Sequence, residues 1–339
     1  MTDEPTGPRL RIGGEIVAGY VVAPEIDPRW GPRPYLHPVR TLAGVTVTDT
    51  LPEDHRWHLG VSVALQDVSG TNLWGGRTYV RDTGYTWRDD HGQITHDAWL
   101  PDGGTAGPVG VEARVGASAE ARVGASAKGG VETRVGAAAA DTGGEPVPTV
   151  PEHPDRPPAD VDGFAERLRW SDPSGATLLT EERTVRATAL PDRADAWLLD
   201  FAYRLTAPAD RDVVLGSPAT NGRPGGAGYG GFFWRAASGE VSTFTASADG
   251  EEAVNGSTEA WLALGGRSAD GAAYTLVFTG LGDGDHWFVR TGIYPGVCVA
   301  LAWQRTRRLA AGTSLRRRHR IVVADGNLLR EGIAAVLPT

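Results

Sequence analysis

Residues 164–206 read FAERLRWSDPSGATLLTEERTVRATALPDRADAWLLDFAYRLT. Within them, 166–170, 178–188 and 196–206 alternate apolar with polar side chains, the period of a strand that buries one face. Asp172-Pro173-Ser174-Gly175 and Pro191-Asp192 separate these runs, and residues of those types either bond to their own backbone or preset φ in tight turns. Strands joined so closely pair antiparallel, because a parallel pair needs a long crossover. The stretch is read as a meander.

The same pattern extends in both directions. Downstream, 212–215, 241–247, 260–265, 274–279, 287–293, 297–303 and 314–323 carry strand-like runs, and only 328–335 suggests a short helix. Upstream, 10–22 reads as a hairpin turning at Gly13-Gly14, and 24–38 is proline-rich and extended. Short strands are expected at 39–42 and 45–48, a strong one at 59–65, and others at 72–74 and 78–81. Residues 85–87 and 93–99 are expected to pair across the turn Asp89-Asp90-His91-Gly92. With 46 glycines, 23 prolines and 11 tryptophans, the composition fits many short strands and tight turns. The expectation is an all-β chain, a large antiparallel β-sandwich forming one domain over 1–339.

One segment breaks this pattern. Glu-Ala-Arg-Val-Gly-Ala-Ser-Ala occupies 112–119 and again 120–127, and a diverged copy occupies 132–139. Eight residues are too few for a solenoid unit, and the copies lack large apolar side chains. Residues 101–158 are therefore read as a low-complexity, disordered insertion in a loop.

The formal charge of -9 excludes a broad nucleic-acid surface. The basic run at 316–320 is read as a solvated strand face. Cys298 is the single cysteine, set among apolar neighbours, so it is read as an inert buried thiol. No stretch has the length and apolarity of a signal peptide or a membrane span, so a cytoplasmic protein without a membrane partner is expected.

Chemistry concentrates in residues 33–96, which hold five of the eight histidines. His55 and His58 are three apart after Pro52, so a loop has to curl for both rings to reach one point. They are the candidate proton-transfer pair, with His91 as a third catalytic candidate and His37 as a substrate contact. His37, His55 and His58 are also the candidate ligands if a first-row divalent metal is bound. The alternative is that each histidine bonds a loop or a strand end. Asn72 and Trp74, in GTNLWGG, pair an amide with an aromatic plane, a combination suited to a sugar's hydroxyl rim and C–H face. In GRPGGAGYGGFFWR, Tyr229, Trp234 and Arg235 are candidates for a second wall. That loop lacks the lysine and the βαβ setting of a phosphate-binding loop.

The motifs RPYLHPV, DHRWHLGVSVAL, GTNLWGG, WRDDHGQITH, GYGGFFWR and RRRHRIVVADG together resemble the bacterial family labelled PmoA-like, or "methane oxygenase PmoA". The label implies a membrane copper monooxygenase subunit, which a chain without an apolar span does not match. The resemblance implies instead a soluble supersandwich similar to aldose epimerases and associated with sugar-catabolic oxidoreductases. It carries over His37, His55, His58 and His91 with Asn72 and Trp74. The resulting expectation is a carbohydrate-active enzyme using histidine and carboxylate acid–base chemistry on a sugar or oxidised sugar. A metal-dependent oxidoreductase and a non-catalytic sugar-binding module are the alternatives.

Overall fold

The structure is a computed structural model and describes residues 5–101, 162–268 and 270–337. Most of the 101–158 insertion lies outside the described residues. Strand makes up 48% and helix 4%, so sheet-on-sheet packing has to supply the core. One antiparallel sheet runs, in spatial order, through Arg9–Ile12, Glu15–Val21, Tyr35–Val39, Val61–Ala64, Gly231–Arg235, Gly296–Ala300 and His286–Arg290. The second runs through Val241–Phe244, Trp261–Arg267, Ala273–Thr279, Ser314–Asp325, Ala196–Thr206, Thr177–Ala189, Gly163–Ser171 and Gln93–Leu100. The meander read from 164–206 thus forms neighbouring strands of the second sheet.

The two sheets pack face to face as a large antiparallel β-sandwich. Phe201 meets Phe232 with ring centroids 5.2 Å apart, Trp234 meets Phe278 at 5.6 Å, and Tyr20 meets Phe164 at 4.6 Å. Strand pleating decides what the first sheet shows on its other side. Phe232, Trp234, Trp287, Val289, Val297 and Val299 point into the sandwich, and the residues between them, Phe233, Phe288 and Cys298, join an outer cluster with Trp74, Tyr229 and Trp303. That outer face is the floor of the site. Burial pushes the Cys298 thiol up to about 12, consistent with an inert side chain.

Three local expectations change. The proline-rich stretch contains the strand Tyr35–Val39, and 45–48 makes only isolated bridges. Residues 85–87 and 93–99 do not pair: Gly84–Thr86 pairs with Thr78–Val80, and Gln93–Leu100 pairs with Gly163–Ser171. Turn residues specify that the chain reverses, but the apolar face chooses the partner. Ile94 and Trp99 pack on the main core, and that draws their strand into the second sheet. The basic run lies in Ser314–Asp325 as read from sequence, with Arg316 exposed, but three of its four arginines are paired: Arg317 with Asp285, and Arg318 and Arg320 with Asp200. No helix among the described residues is long and apolar enough to cross a membrane, which says nothing of a β-barrel.

Candidate functional site

Loops from four parts of the chain cover the outer face of the first sheet and enclose a cavity of about 480 Å³. That lies within the range of roughly 300–1,000 Å³ usual for small-ligand sites. Asp54, His55, Trp57 and His58 line it from one loop, and Trp74, Arg77, Tyr85 and Trp87 from the next. Arg223 and Tyr229 come from the glycine-rich segment, Phe288 and Arg290 from the strand His286–Arg290, and Ile293 and Tyr294 from the connection after it. A larger depression of about 820 Å³ lies over Val241–Phe244, but no histidine lines it.

The 52–58 loop curls through two overlapping turns. The His55 N–H donates to the Pro52 carbonyl at 3.0 Å, and the His58 N–H donates to the His55 carbonyl at 2.9 Å. The curl stacks the two imidazoles, with centroids 4.7 Å apart and planes 27° from parallel. Tyr294 packs against both rings, at 4.8 Å from His55 and 4.5 Å from His58. Arg33, fully buried, ties this loop to the next one by donating to the carbonyls of Trp57 at 3.0 Å, Trp74 at 3.0 Å and Gly31 at 2.8 Å. Burial and the charge of Arg183 lower its pKa to about 9, so it remains a cation at neutral pH. Gly76 has φ +72°, and a Cβ there would lie 2.6 Å from the Trp57 ring, so the loop passes the indole only as glycine.

Electrostatics separate the two histidines. His55 Nδ1 lies 2.8 Å from the Asp54 carboxylate. A carboxylate accepts only, so Nδ1 carries a proton, and in the neutral ring Nε2 is left with the lone pair. That hydrogen bond is the first cause holding the Asp54 carboxyl below its ordinary range. His58 is held well below the usual histidine value by burial and then by the charges of His55, Arg235 and Arg33. It is a neutral ring whose Nδ1 has no hydrogen-bond partner among the described residues.

This gives a pH dependence. The folded chain protonates His58 only well below the usual histidine range, and His319, lowered to about 3 by burial and then by Arg317, behaves alike, whereas the unfolded chain binds both protons below about 6.5. Stability is therefore fully present above that pH and falls as pH drops below it, by up to about 1.4 kcal/mol per pH unit for each group. Denaturant titrations at pH 7, 6 and 5 are expected to show this fall, and His319→Leu is expected to roughly halve its slope. An unchanged slope would remove His319 from the account.

The tyrosines form a second polar group. Tyr229 Oη accepts from Gln66 Nε2 at 3.0 Å, Tyr85 Oη accepts from Arg223 Nη1 at 2.6 Å, and the two hydroxyls lie 2.9 Å apart. Burial first of all raises both phenols above their ordinary value, so each keeps its proton. One hydroxyl donates to the other. The second O–H has no acceptor among the described residues and is available to a ligand.

The other residues singled out by sequence fall elsewhere. His37 bonds Thr48 Oγ1 at 3.0 Å and does not line the cavity. His91 lies behind the wall, its Nε2 2.7 Å from the Gly76 carbonyl. Asn72 is fully buried: its Oδ1 accepts from the N–H groups of Trp74 and Gly75, and its Nδ2 reaches Gly76 and Thr78. It shapes the turn rather than facing a ligand. Arg235 sits behind Tyr294, 5.3 Å from that ring, and pairs with Asp49. Trp234 points into the sandwich, as the pleat requires. Among the described residues no group of three or more His, Cys, Asp or Glu is placed to hold a metal ion, so His37 does not join His55 and His58 as a ligand. Sequence reasoning missed Arg33, Arg77, Tyr85, Arg223, Arg290 and Tyr294. In sequence Arg33 is only a charge between prolines in GPRPYLHP, and the others lie on separate segments.

Residues 8–116 and 150–337 match the profile of a family of unknown function, DUF6807. The chain belongs to this family. The match replaces the PmoA-like resemblance, and the oxidoreductase reading that came with that label goes with it. No curated protein matches this DUF6807 chain. Among solved structures, a heparan sulfate lyase HepC mutant from Pedobacter heparinus is similar at 10% identity, covering 49% of this chain and 21% of that one, with a TM-score of 0.22. The chain thus spans about a fifth of that protein, and a likeness so low shows neither shared architecture nor shared activity.

Proposed function

We propose that the cavity binds a saccharide and transfers protons on it, with His55 as base and the Tyr85–Tyr229 pair as donor. The observation that carries this reading is the joining, in one cavity, of a carboxylate-oriented histidine with a hydroxyl proton that lacks an acceptor among the described residues. Acid–base catalysis needs both a lone pair and a proton placed before the substrate arrives. Trp57, Trp74 and Trp87 supply flat apolar faces for ring C–H groups, and Trp87, 45% exposed, is placed for first contact at the rim. His58 acts as a neutral ring that fixes His55 by stacking.

Saturation-transfer NMR with a panel of neutral and acidic mono- and disaccharides tests the binding step. Ring C–H protons of at least one sugar are expected to receive saturation. Trp87→Ala, which alters an exposed side chain, is expected to weaken that binding by about tenfold, corresponding to roughly 1–2 kcal/mol of lost aromatic contact. Saturation that persists unchanged in Trp87→Ala would remove the aromatic platform from the reading. Running the panel in D₂O also reports turnover, as exchange of a C–H proton or the appearance of product signals. Saturable binding without either outcome would favour a binding module over an enzyme.

A further inference from the structure

The charge around the cavity runs opposite to that of the chain. Acidic residues outnumber basic ones overall, 42 to 33, yet Arg77, Arg223 and Arg290 line the cavity and, among the described residues, Asp54 is the one carboxylate on its wall. Asp54 is already engaged with His55.

The three guanidiniums differ in what they already hold. Arg290 lies 3.4 Å from Glu251 and donates to the Val289 carbonyl, so its charge is largely answered. Arg223 is half-buried, donates one N–H to Tyr85 Oη at 2.6 Å and has no carboxylate partner among the described residues. Arg77 is exposed, lies 5.9 Å from the centre of the Trp87 ring and likewise has no carboxylate partner among the described residues. An exposed arginine beside a tryptophan is common as simple packing. A half-buried one held on a tyrosine, its remaining N–H groups unclaimed among the described residues beside a cavity, is a fork suited to a planar or tetrahedral anion.

Resting on the saccharide reading above, we infer that the ligand is an acidic sugar whose anionic group is held by Arg223, with Arg77 at the rim. The shared chemistry is an oxyanion attached to a sugar ring: a carboxylate, a sulfate ester or a phosphate ester. Arg223 then has a second consequence. It donates to the hydroxyl of Tyr85, so the anion and the proton donor are positioned by one side chain, and the substrate's charged group is placed next to the site of proton transfer.

Calorimetric titration of the full chain tests this with glucuronate, glucose 6-sulfate and glucose 6-phosphate, each compared with glucose, and with inorganic sulfate and phosphate alone. At least one acidic sugar is expected to bind tenfold or more tightly than glucose, the size of one charge-assisted hydrogen bond of about 1.5–3 kcal/mol. Which of them does so identifies the anion. Arg223→Gln is expected to remove most of that preference, and Arg77→Gln, at an exposed position where folding is not at risk, to reduce it several-fold and weaken its salt dependence. Glucose binding as tightly as every acidic sugar would overturn the inference and leave the saccharide reading standing. Inorganic anions binding as tightly as the acidic sugars would overturn the saccharide reading and leave an anion site. No binding by any probe at tens of millimolar would overturn both, and a preference for acidic sugars that survives both arginine variants would overturn the assignment to these residues.

Discussion

Arg183→Leu is expected to destabilise the folded chain by about 3–5 kcal/mol, more than most single changes in its apolar core. Arg183 is wholly buried between the sheets, as are Glu181 and Glu166. Its Nε donates to Glu181 at 2.7 Å and its Nη1 donates to Tyr20 Oη at 2.8 Å. Tyr20 donates in turn to Glu166, which also holds His96 Nδ1 at 2.8 Å, and Trp170 Nε1 donates to the second oxygen of Glu181 at 2.8 Å. Burial alone would lower the guanidinium's pKa, but Glu181, Tyr20 and Glu166 around it hold it above its ordinary value, so it stays charged. Removing it leaves Glu181, whose carboxyl burial already raises, without its cation. That uncompensated charge, rather than the lost bonds, accounts for most of the cost. Urea unfolding of Arg183→Leu and of Arg183→Leu combined with Glu181→Gln and Glu166→Gln separates the two contributions. The combined variant is expected to recover at least half of the loss. If it is no more stable than the single variant, packing rather than charge is what Arg183 supplies.

The same network shows what local sequence can and cannot tell. The alternation in 166–170 and 178–188 was enough to read strands, because period two is written into consecutive residues. Nothing local says that Tyr20 lies beside Glu166, since that depends on which sheet faces which. The cavity follows the same rule. The curl of 52–58 was legible because Pro52 and the spacing of His55 and His58 are near one another in the chain. The joining of that loop with Tyr85, Arg223 and Arg290 was not, because Tyr85 lies on a separate two-stranded hairpin, Arg223 in a loop and Arg290 at the end of a first-sheet strand, and only the tertiary fold brings the three together. His37 and Asn72 show the opposite failure. Each lies close in sequence to the site loops, but the Thr48 hydroxyl engages one and a tight turn engages the other, and neither partner could be named from composition. The glycine-rich segment was read as bringing Tyr229, Trp234 and Arg235 to a second wall, and of the three only Tyr229 lines the cavity. Strand alternation then determined that its neighbour Trp234 would point the other way, an inference available from the sequence once Phe233 is placed outward.

With a turned-over substrate in hand, His55→Gln is expected to lower kcat by about 10²- to 10⁴-fold while KM changes little, the signature of a group that acts in the transition state more than in binding. Glutamine keeps a hydrogen-bonding side chain but offers no basic lone pair, so the loop can survive while proton abstraction does not. Asp54→Asn is expected to cost less, because Asp54 is 60% exposed in its side chain and orients the ring instead of exchanging protons itself. Two controls keep the prediction specific. His37→Ala changes a ring that bonds Thr48 outside the cavity lining and is expected to leave kcat within about a factor of two or three of the parent, as for a position that touches no reacting atom. His58→Asn removes the buried stacking partner and is expected to act first on stability, which unfolding measurements report separately from turnover. If His55→Gln keeps more than a tenth of parental kcat while remaining folded, the base lies elsewhere. The Tyr85–Tyr229 pair would then be the next group to test, because its uncommitted hydroxyl proton faces the same space.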